Sequence, residues 1–250
     1  MAFFKARLSK KMILLALSIG FLISICHLTQ VFLNPMTRDN IFAESPYTKW
    51  ISIDPFSFTS VSLFILIPLI ASIPAATLLR QDINNHFFKQ LTIRKALPTI
   101  LKQYALTAFL TGALTIAIIL LANFLSLFLI LPNVKPDDII NNNLLITSRK
   151  TLLVALYYQH PFIHALLSIV VTSLWGGLFA LFTFAASLLI KNNFVALCSS
   201  LFLQIILFIL NSFIRLPNQI SLSPMDFLRE SASANINLAV LGLSSIALRA

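Results

Sequence analysis

The sequence predicts an all-α integral membrane protein: one domain of six helices, with both termini cytoplasmic and a basic cytoplasmic segment between helices 2 and 3. Three observations carry this expectation. Hydrophobic residues make up 58% of the 250 and charged residues only 10%, with a mean hydropathy of +0.90. A soluble domain carries roughly a quarter charged residues, so this chain lacks the polar surface that water demands. The apolar residues also fall in runs long enough to cross a bilayer. Finally, 18 Lys and Arg face 8 Asp and Glu, and the resulting +10 is distributed unevenly between alternate connections.

The first run, 12–33, follows a basic start. Its apolar core is too long for a secretory signal and no A-x-A-like exit follows, so a retained signal-anchor helix is expected. Residues 1–11 set Phe3, Phe4 and Leu8 against Lys5, Arg7, Lys10 and Lys11. That pattern fits an interfacial amphipathic helix or a basic tail that only orients the first span. A second span is expected over 61–79, and a third over 105–131, which is long enough that it must tilt or protrude. The fourth covers 166–190, the fifth 194–213 and the sixth 236–248. The sixth is the shortest, and at roughly 1.5 Å per residue it crosses only with help from 232–235 or a thinned bilayer.

Charge then fixes the orientation. Lys5, Arg7, Lys10, Lys11, Arg80, Lys89, Arg94, Lys95, Lys102, Lys191 and Arg249 collect on one side, with Asp82 as the only acid. The other side holds seven cations and seven acids, among them Lys49, Asp54, Asp226, Arg229 and Glu230. The positive-inside rule puts the first group in the cytoplasm, so the cations require no nucleic-acid partner.

Between the second and third spans, 80–104 is the most informative stretch. Asp82 is expected to cap a helix carrying Ile83, Phe87, Phe88 and Leu91. Pro98 should break it and disfavour helix at Leu97. Ile93, Ala96, Leu97, Ile100, Leu101 and Tyr104 would form a second stripe feeding the third span. The result would be a bent pair of short helices, serving as a docking knob or resting on the inner leaflet. The outer connections are long. Residues 34–60 carry Pro35, Pro46, Pro55, Tyr47 and Trp50; 132–164 end in an aromatic stretch with Tyr157, Tyr158 and Phe162; 214–235 carry Pro217 and Pro224. The last could form a short re-entrant element, covered by protein or water.

Chemistry is sparse. No GxxxxGK[ST] loop is present, and the adjacent Gly176 and Gly177 lie in an apolar span, so no ATP hydrolysis is expected on this chain. The first five spans hold no Asp, Glu, Lys or Arg between their ends, which argues against an ion-coupled pump. His27, Gln30, Asn123 and Gln204 are the intramembrane polar residues of interest, as interhelical hydrogen-bonding groups or as contacts along a substrate pathway. His160 and His164 have a metal-sharing spacing, but Pro161 separates them and no HExxH pattern follows, so no metal site is expected. No catalytic arrangement is readable. Cys26 and Cys198 fall in spans and read as small buried thiols rather than disulfide partners. Ser173, Gly176, Gly177 and Ala180 have small-xxx-small spacing, for packing within the bundle or against a second subunit.

The segment WISIDPFSFTSVSLFILIPLIASIPAATLLRQDINNHFFKQLTIRKALPTILKQY resembles the second-span region of bacterial type-2 ABC exporter permeases. The likeness rests on Trp50 before the span, Pro68 and Pro74 within it, Asp82 after its inner end, and Arg94 before Tyr104. LWGGLFALFTFAASLLIKNNFVAL is similar to the fourth span, basic turn and fifth span of that family, and SPMDFL to the segment before the last span. The short last span departs from the family pattern. The resemblance implies a membrane subunit of an ATP-driven exporter, without cofactor or catalytic residues of its own. It would pair with a second permease, as a homo- or heterodimer, and with ABC ATPase subunits that bind ATP and Mg. Residues Asp82, Phe87, Phe88, Lys89, Arg94 and Lys95 would belong to its ATPase-coupling segment, and 214–235 to its outer re-entrant element. An amphipathic or apolar cargo, such as a membrane-active peptide, would fit the charge-poor spans, and the lipid bilayer of the cell membrane would be its setting. A non-transporting scaffold or sensor subunit is the alternative.

Overall fold

The computed structural model describes residues 8–34, 44–54, 57–94, 96–143, 153–213, 221, 223–230, 242 and 244–246, apart from the side chains of residues 94, 140, 142 and 143. All regular structure among them is helical. The helices are α1 Lys10–Leu33, α2 Phe58–Ser72, α3 Leu78–Asn84, α4 Phe87–Arg94, α5 Leu97–Leu127, α6 Asp138–Asn143, α7 Val154–Gln159, α8 Pro161–Leu189, α9 Asn193–Phe213 and α10 Pro224–Leu228. Four of them, α1, α5, α8 and α9, are long and apolar enough to cross a membrane. The chain is therefore a multi-pass membrane protein by the length and composition of its helices. The expected sixth span falls almost wholly outside the described residues.

Helix α8 is the centre of the bundle. Of its most apolar window, 56% is buried inside the protein, against 17% for α9, whose outward face carries Phe194, Phe202, Ile206 and Phe213. Burial in α8 follows its small residues. Gly112 of α5 lies where a Cβ would meet Ala180 Cβ at 2.7 Å, the Ala71 carbonyl oxygen at 2.9 Å and the Gly176 carbonyl oxygen at 3.2 Å. Three helices thus approach at one point, α2, α5 and α8, and only glycine leaves room for the backbones. Gly177 meets the Phe109 ring in the same seam. The small-xxx-small spacing in α8 therefore serves packing within this chain. Phe124 with Phe162 at one level, and Ile116 with Gly176 at another, make α5 and α8 antiparallel. Helix α1 runs parallel to α5, with Gly20 against Ile119.

The second span differs from the expected 61–79. Ser57 caps α2 by accepting from the Ser60 N–H at 3.4 Å, and the helix ends at Ser72. Residues 73–77 then form turns around Pro74, whose ring cannot continue a regular helix. At 15 residues α2 reaches only about 22 Å and is not among the four helices long enough to cross a membrane. The fourth span starts five residues earlier than expected, at Pro161, because proline is accommodated in the first helical turn. The third is α5, displaced toward its N-terminus relative to 105–131: α4 ends at Arg94, Ala96 is extended, and Pro98, where a break in the helix is expected, sits in the first turn of the new helix. Leu97 is accordingly helical, contrary to the expectation for a residue before proline.

Polar residues on the spans satisfy one another across helices. Pro68 has no N–H, so the Phe64 carbonyl one turn earlier loses its helical partner. Gln204 Nε2 of α9 donates to that carbonyl at 2.7 Å and also reaches the Ile65 carbonyl at 3.4 Å. One turn along, Ser72, Thr183 and Ser200 form a hydroxyl cluster, and Ser72 and Ser200 both donate to the Pro68 carbonyl. The proline-bearing wall of α2 is thereby stitched to α8 and α9.

Cys26 and Cys198 are free thiols. Cys26 is exposed on α1 and Cys198 half-exposed on α9, so the expectation of buried thiols is corrected. An apolar span presents one face to lipid, and a small apolar side chain is as acceptable there as in the interior.

Candidate functional site

The two ends of the bundle are chemically unlike. At one end lie Lys10, Lys11, Arg80, Lys89, Lys102 and Lys191, with Asp82 the only acid there among the described residues. The other end gathers the connections before α2, between α5 and α8, and around α10.

At the basic end, α3 and α4 form an elbow between α2 and α5. The chain turns at Asn85 and His86, and His86 adopts a left-handed conformation at φ 59°. This turn is an additional interruption, twelve residues before Pro98, besides the expected one between α4 and α5. Asp82 is corrected from a helix cap to a buried residue inside α3, where it accepts a hydrogen bond from the Tyr104 hydroxyl. The pairing spans 22 positions and ties the elbow to the base of α5. Phe88 and Leu91 pack beside Leu78, Leu79, Ile100, Tyr104, Ala108 and Phe184. Phe87 is half-buried, while Lys89 and Ile93 project outward. Arg80 Nε donates to the Lys191 carbonyl in the turn between α8 and α9 at 3.3 Å. The elbow thus touches three walls of the bundle while keeping one basic, partly apolar face free. Arg94 closes α4, and Lys95 lies outside the described residues.

At the loop end, segments 44–54 and 221–230 plug the mouth of the bundle instead of lying in solvent. Trp50, Ile51 and Ile53 are fully buried, with the Trp50 ring edge-on to Phe124 at 5.6 Å. Asn123, near the end of α5, accepts from the Ile51 N–H at 3.3 Å and contacts His27 Nδ1 at 3.3 Å. His27 Nε2 lies 3.5 Å from Asp54. On the opposite wall, His164 Nε2 lies 3.6 Å from Glu230, whose carboxylate also accepts from Ser168. Ser52 donates to the Leu228 carbonyl and accepts, through its own carbonyl, from the Glu230 N–H, each at 3.1 Å. Gln30 of α1 takes hydrogen bonds from Thr59 at 3.2 Å and Ser57 at 3.4 Å, at the start of α2. Lys49 pairs with Glu44 at 2.9 Å.

All four intramembrane polar residues named from the sequence therefore stand in interhelical or helix-to-loop contacts: His27, Gln30 and Asn123 at the loop end, Gln204 on the Pro68 kink. His160 and His164 do not converge. α7 ends at Gln159, His160 is exposed and His164 is buried against Glu230. Among the described residues, no group of three or more His, Cys, Asp or Glu could hold a metal.

Sequence reasoning missed the loop-end assembly. Its signal was nonetheless present, in the polar residues Gln30, His27 and Asn123 placed in the same outer third of two spans. Such groups must find partners in a medium that supplies none. The 224–228 turn of helix, expected as part of a re-entrant element, is itself part of this plug, with Met225, Phe227 and Leu228 buried.

No protein-family model, curated protein or solved structure matches the chain.

Proposed function

We propose that this chain is the permease subunit of an ATP-driven ABC exporter in the cell membrane, with its N-terminus in the cytoplasm. The reading rests chiefly on the elbow. A short amphipathic helix, α4, stands between the second and third spans at the basic end. Its apolar side is held by the bundle and its charged side is free. Because Asp82 bonds Tyr104 and Arg80 bonds the Lys191 carbonyl, a push on α4 reaches α5 and the α8–α9 turn together. That is the mechanical requirement for a subunit that has no nucleotide loop of its own and takes work from an ATPase bound below it. The partners are ABC ATPase subunits carrying ATP and Mg, and a second permease chain.

Transport would then consist of alternating separation at the two ends. ATP binding on the partner moves the elbow, and the antiparallel α5–α8 pair transmits the motion. The cargo path would run beside the bundle at the junction with the second permease, because the α5–α8 seam within the chain is closed by backbone contact. A charge-poor wall suits an amphipathic or apolar molecule, and a membrane-active peptide is the specific expectation.

Lys89 supplies the test, since it is exposed and makes no described contact within the bundle. Lys89→Glu is expected to weaken ATPase association, or transport-coupled ATP hydrolysis, by about tenfold or more, as opposed charges across an interface become like ones. The thermal midpoint of the isolated chain should be unchanged. The assay is ATP-driven export in proteoliposomes containing this chain, its partner permease and the ATPase. Association with an ATPase but no ATP-dependent cargo movement would favour the scaffold or sensor alternative. A chain that neither binds nor needs an ATPase would end the exporter reading.

A further inference from the structure

We propose that the turn between α8 and α9 holds the headgroup of an anionic phospholipid, with Arg80 of α3 and Lys191 of the turn clamping its phosphate. The inference does not rest on the exporter reading; it needs only that the chain spans a bilayer.

The side chain of Arg80 is fixed by one edge. Its Nε donates to the Lys191 carbonyl at 3.3 Å, where α8 has ended at Leu189 and α9 has yet to begin at Asn193. The Nη groups of the same guanidinium have no partner among the described residues. A guanidinium held in this way presents the paired donors that match two oxygens of one phosphate. Lys191 is exposed, and the residue whose carbonyl holds Arg80 therefore also carries an ammonium at the turn. Within the turn, the Asn192 side chain accepts from the Phe194 N–H at 2.9 Å, which orders the approach to α9. The start of α9 brings the positive end of its dipole to the same place.

No ion pair joins Arg80 or Lys191 to a carboxylate among the described residues. The acids of the sequence lie elsewhere. Asp82 is buried and takes the Tyr104 hydroxyl. Glu44, Asp54, Asp137, Asp138, Asp226 and Glu230 belong to the opposite end of the bundle. Asp39, the one acid outside the described residues, follows the loop-end terminus of α1 in sequence. The two cations therefore meet no acidic side chain from this end of the fold, and an anion from outside the chain complements them.

The surroundings select a lipid as that anion. Leu189 at the end of α8 is 86% exposed and Phe194 at the start of α9 is 72% exposed. Leu188 and Val195 are partly bare beside them. Apolar side chains thus flank the cations on both helices, in the relation that acyl chains have to the phosphate above them. Basic pockets between membrane helices take anionic headgroups by this combination. A zwitterionic headgroup brings its own ammonium, which competes with Arg80 and Lys191; an anionic one leaves its phosphate charge to them. The bound phosphate would join α3 to the α8–α9 turn, beside the single hydrogen bond from Arg80 to the Lys191 carbonyl.

The test uses the full chain in nanodiscs of phosphatidylcholine with a minority of phosphatidylglycerol, then detergent extraction and native mass spectrometry of the retained lipid. Phosphatidylglycerol should be kept in preference to phosphatidylcholine, at a site that saturates. Lys191→Gln should weaken its retention about fivefold, and Arg80→Gln/Lys191→Gln about twentyfold or more, at roughly a factor of five per cation. Lys191→Gln leaves the carbonyl at 191 in place for Arg80, so its helical signal and thermal midpoint in phosphatidylcholine alone should match the wild type. Lys89→Gln/Lys102→Gln removes the same charge from exposed positions at the same end and should change retention by no more than about twofold, since both lie away from the turn. Equal losses in the two double variants would mean a diffuse attraction to the basic end and overturn the site. Equal retention of phosphatidylcholine overturns the preference for an anionic headgroup. Displacement of phosphatidylglycerol by millimolar inorganic phosphate overturns the lipid as occupant and gives the clamp to the free anion.

Discussion

Gly112→Val is expected to be among the most disruptive single substitutions in the bundle, lowering stability by about 1–3 kcal/mol or preventing assembly altogether. The reason lies in what surrounds the added atoms. The Cβ alone would sit 2.7 Å from Ala180 Cβ and 2.9 Å from the Ala71 carbonyl oxygen, with the Gly176 carbonyl oxygen at 3.2 Å. Two of these three are backbone atoms on different helices, so no side chain can swing aside. Even Gly112→Ala must push α2 or α8 away from α5. Gly20 provides the contrast. Its added Cβ meets only the side chain of Ile119, nearest at the terminal Cδ1, and a rotamer change can relieve much of that contact. Gly20→Ala should therefore cost clearly less than Gly112→Ala. The comparison can be made by denaturant titration in mixed micelles, with loss of helical signal as readout. Equal costs at the two positions would mean that the three-helix crossing is not the tight point of the fold.

The same crossing marks how far the sequence could be read. Spans are legible because apolar runs of bilayer length leave the backbone little choice but helix. The first, fourth and fifth helices accordingly lie close to where the runs place them. Ends were less legible. Pro161 and Pro98 start helices, whereas Pro74 lies in the turns after one, and the residue type alone carries no mark of which. Pro68 remains inside α2 because α9 brings Gln204 to the orphaned carbonyl, a compensation 140 positions away in sequence. Asp82 shows the same limit at the basic end. Its spacing fits a helix cap, but Tyr104 returns to it only after the chain has passed through α4 and into α5.

The loop end was the least legible part. Segments carrying Asp54, Glu230, Ser52 and several prolines read only as long outer connections, the second as a possible re-entrant element, and a charge count assigns them to the outer side. Their burial depends on pairing with His27 and His164, and on one segment bonding the other. Local composition contains neither relation. Charge asymmetry, by contrast, survives folding intact: among the described residues the cation-rich connections do meet at one end. At the opposite end Glu44 pairs with Lys49, and Asp54 and Glu230 face His27 and His164, relations that a net charge of zero hides.

Removing Gln204 is the second large effect expected, and Pro68 makes it diagnostic. Gln204→Leu keeps the side chain's bulk but leaves the Phe64 carbonyl without that donor in a buried wall. The expected loss is about 1–2 kcal/mol, within the range for single hydrogen bonds inside membranes and for orphaned buried acceptors. Pro68→Ala restores an N–H to position 68, which can bond the Phe64 carbonyl within α2 and straighten the helix. In that background the amide of Gln204 has lost its main task. The cost of Gln204→Leu should then fall to half or less, giving a favourable coupling between positions 68 and 204 in a double-mutant cycle. Pro68→Ala by itself should be close to neutral, because the helix gains an internal bond while Ser200 and Ser72 must readjust to a moved carbonyl. If Gln204→Leu is as costly in the Pro68→Ala background as in the wild type, the glutamine acts through something other than the proline's missing donor. If it is harmless in both, the kink is satisfied without it. The physical claim is specific: Pro68 is tolerated inside α2 because a neighbouring helix supplies the hydrogen bond that the proline removed.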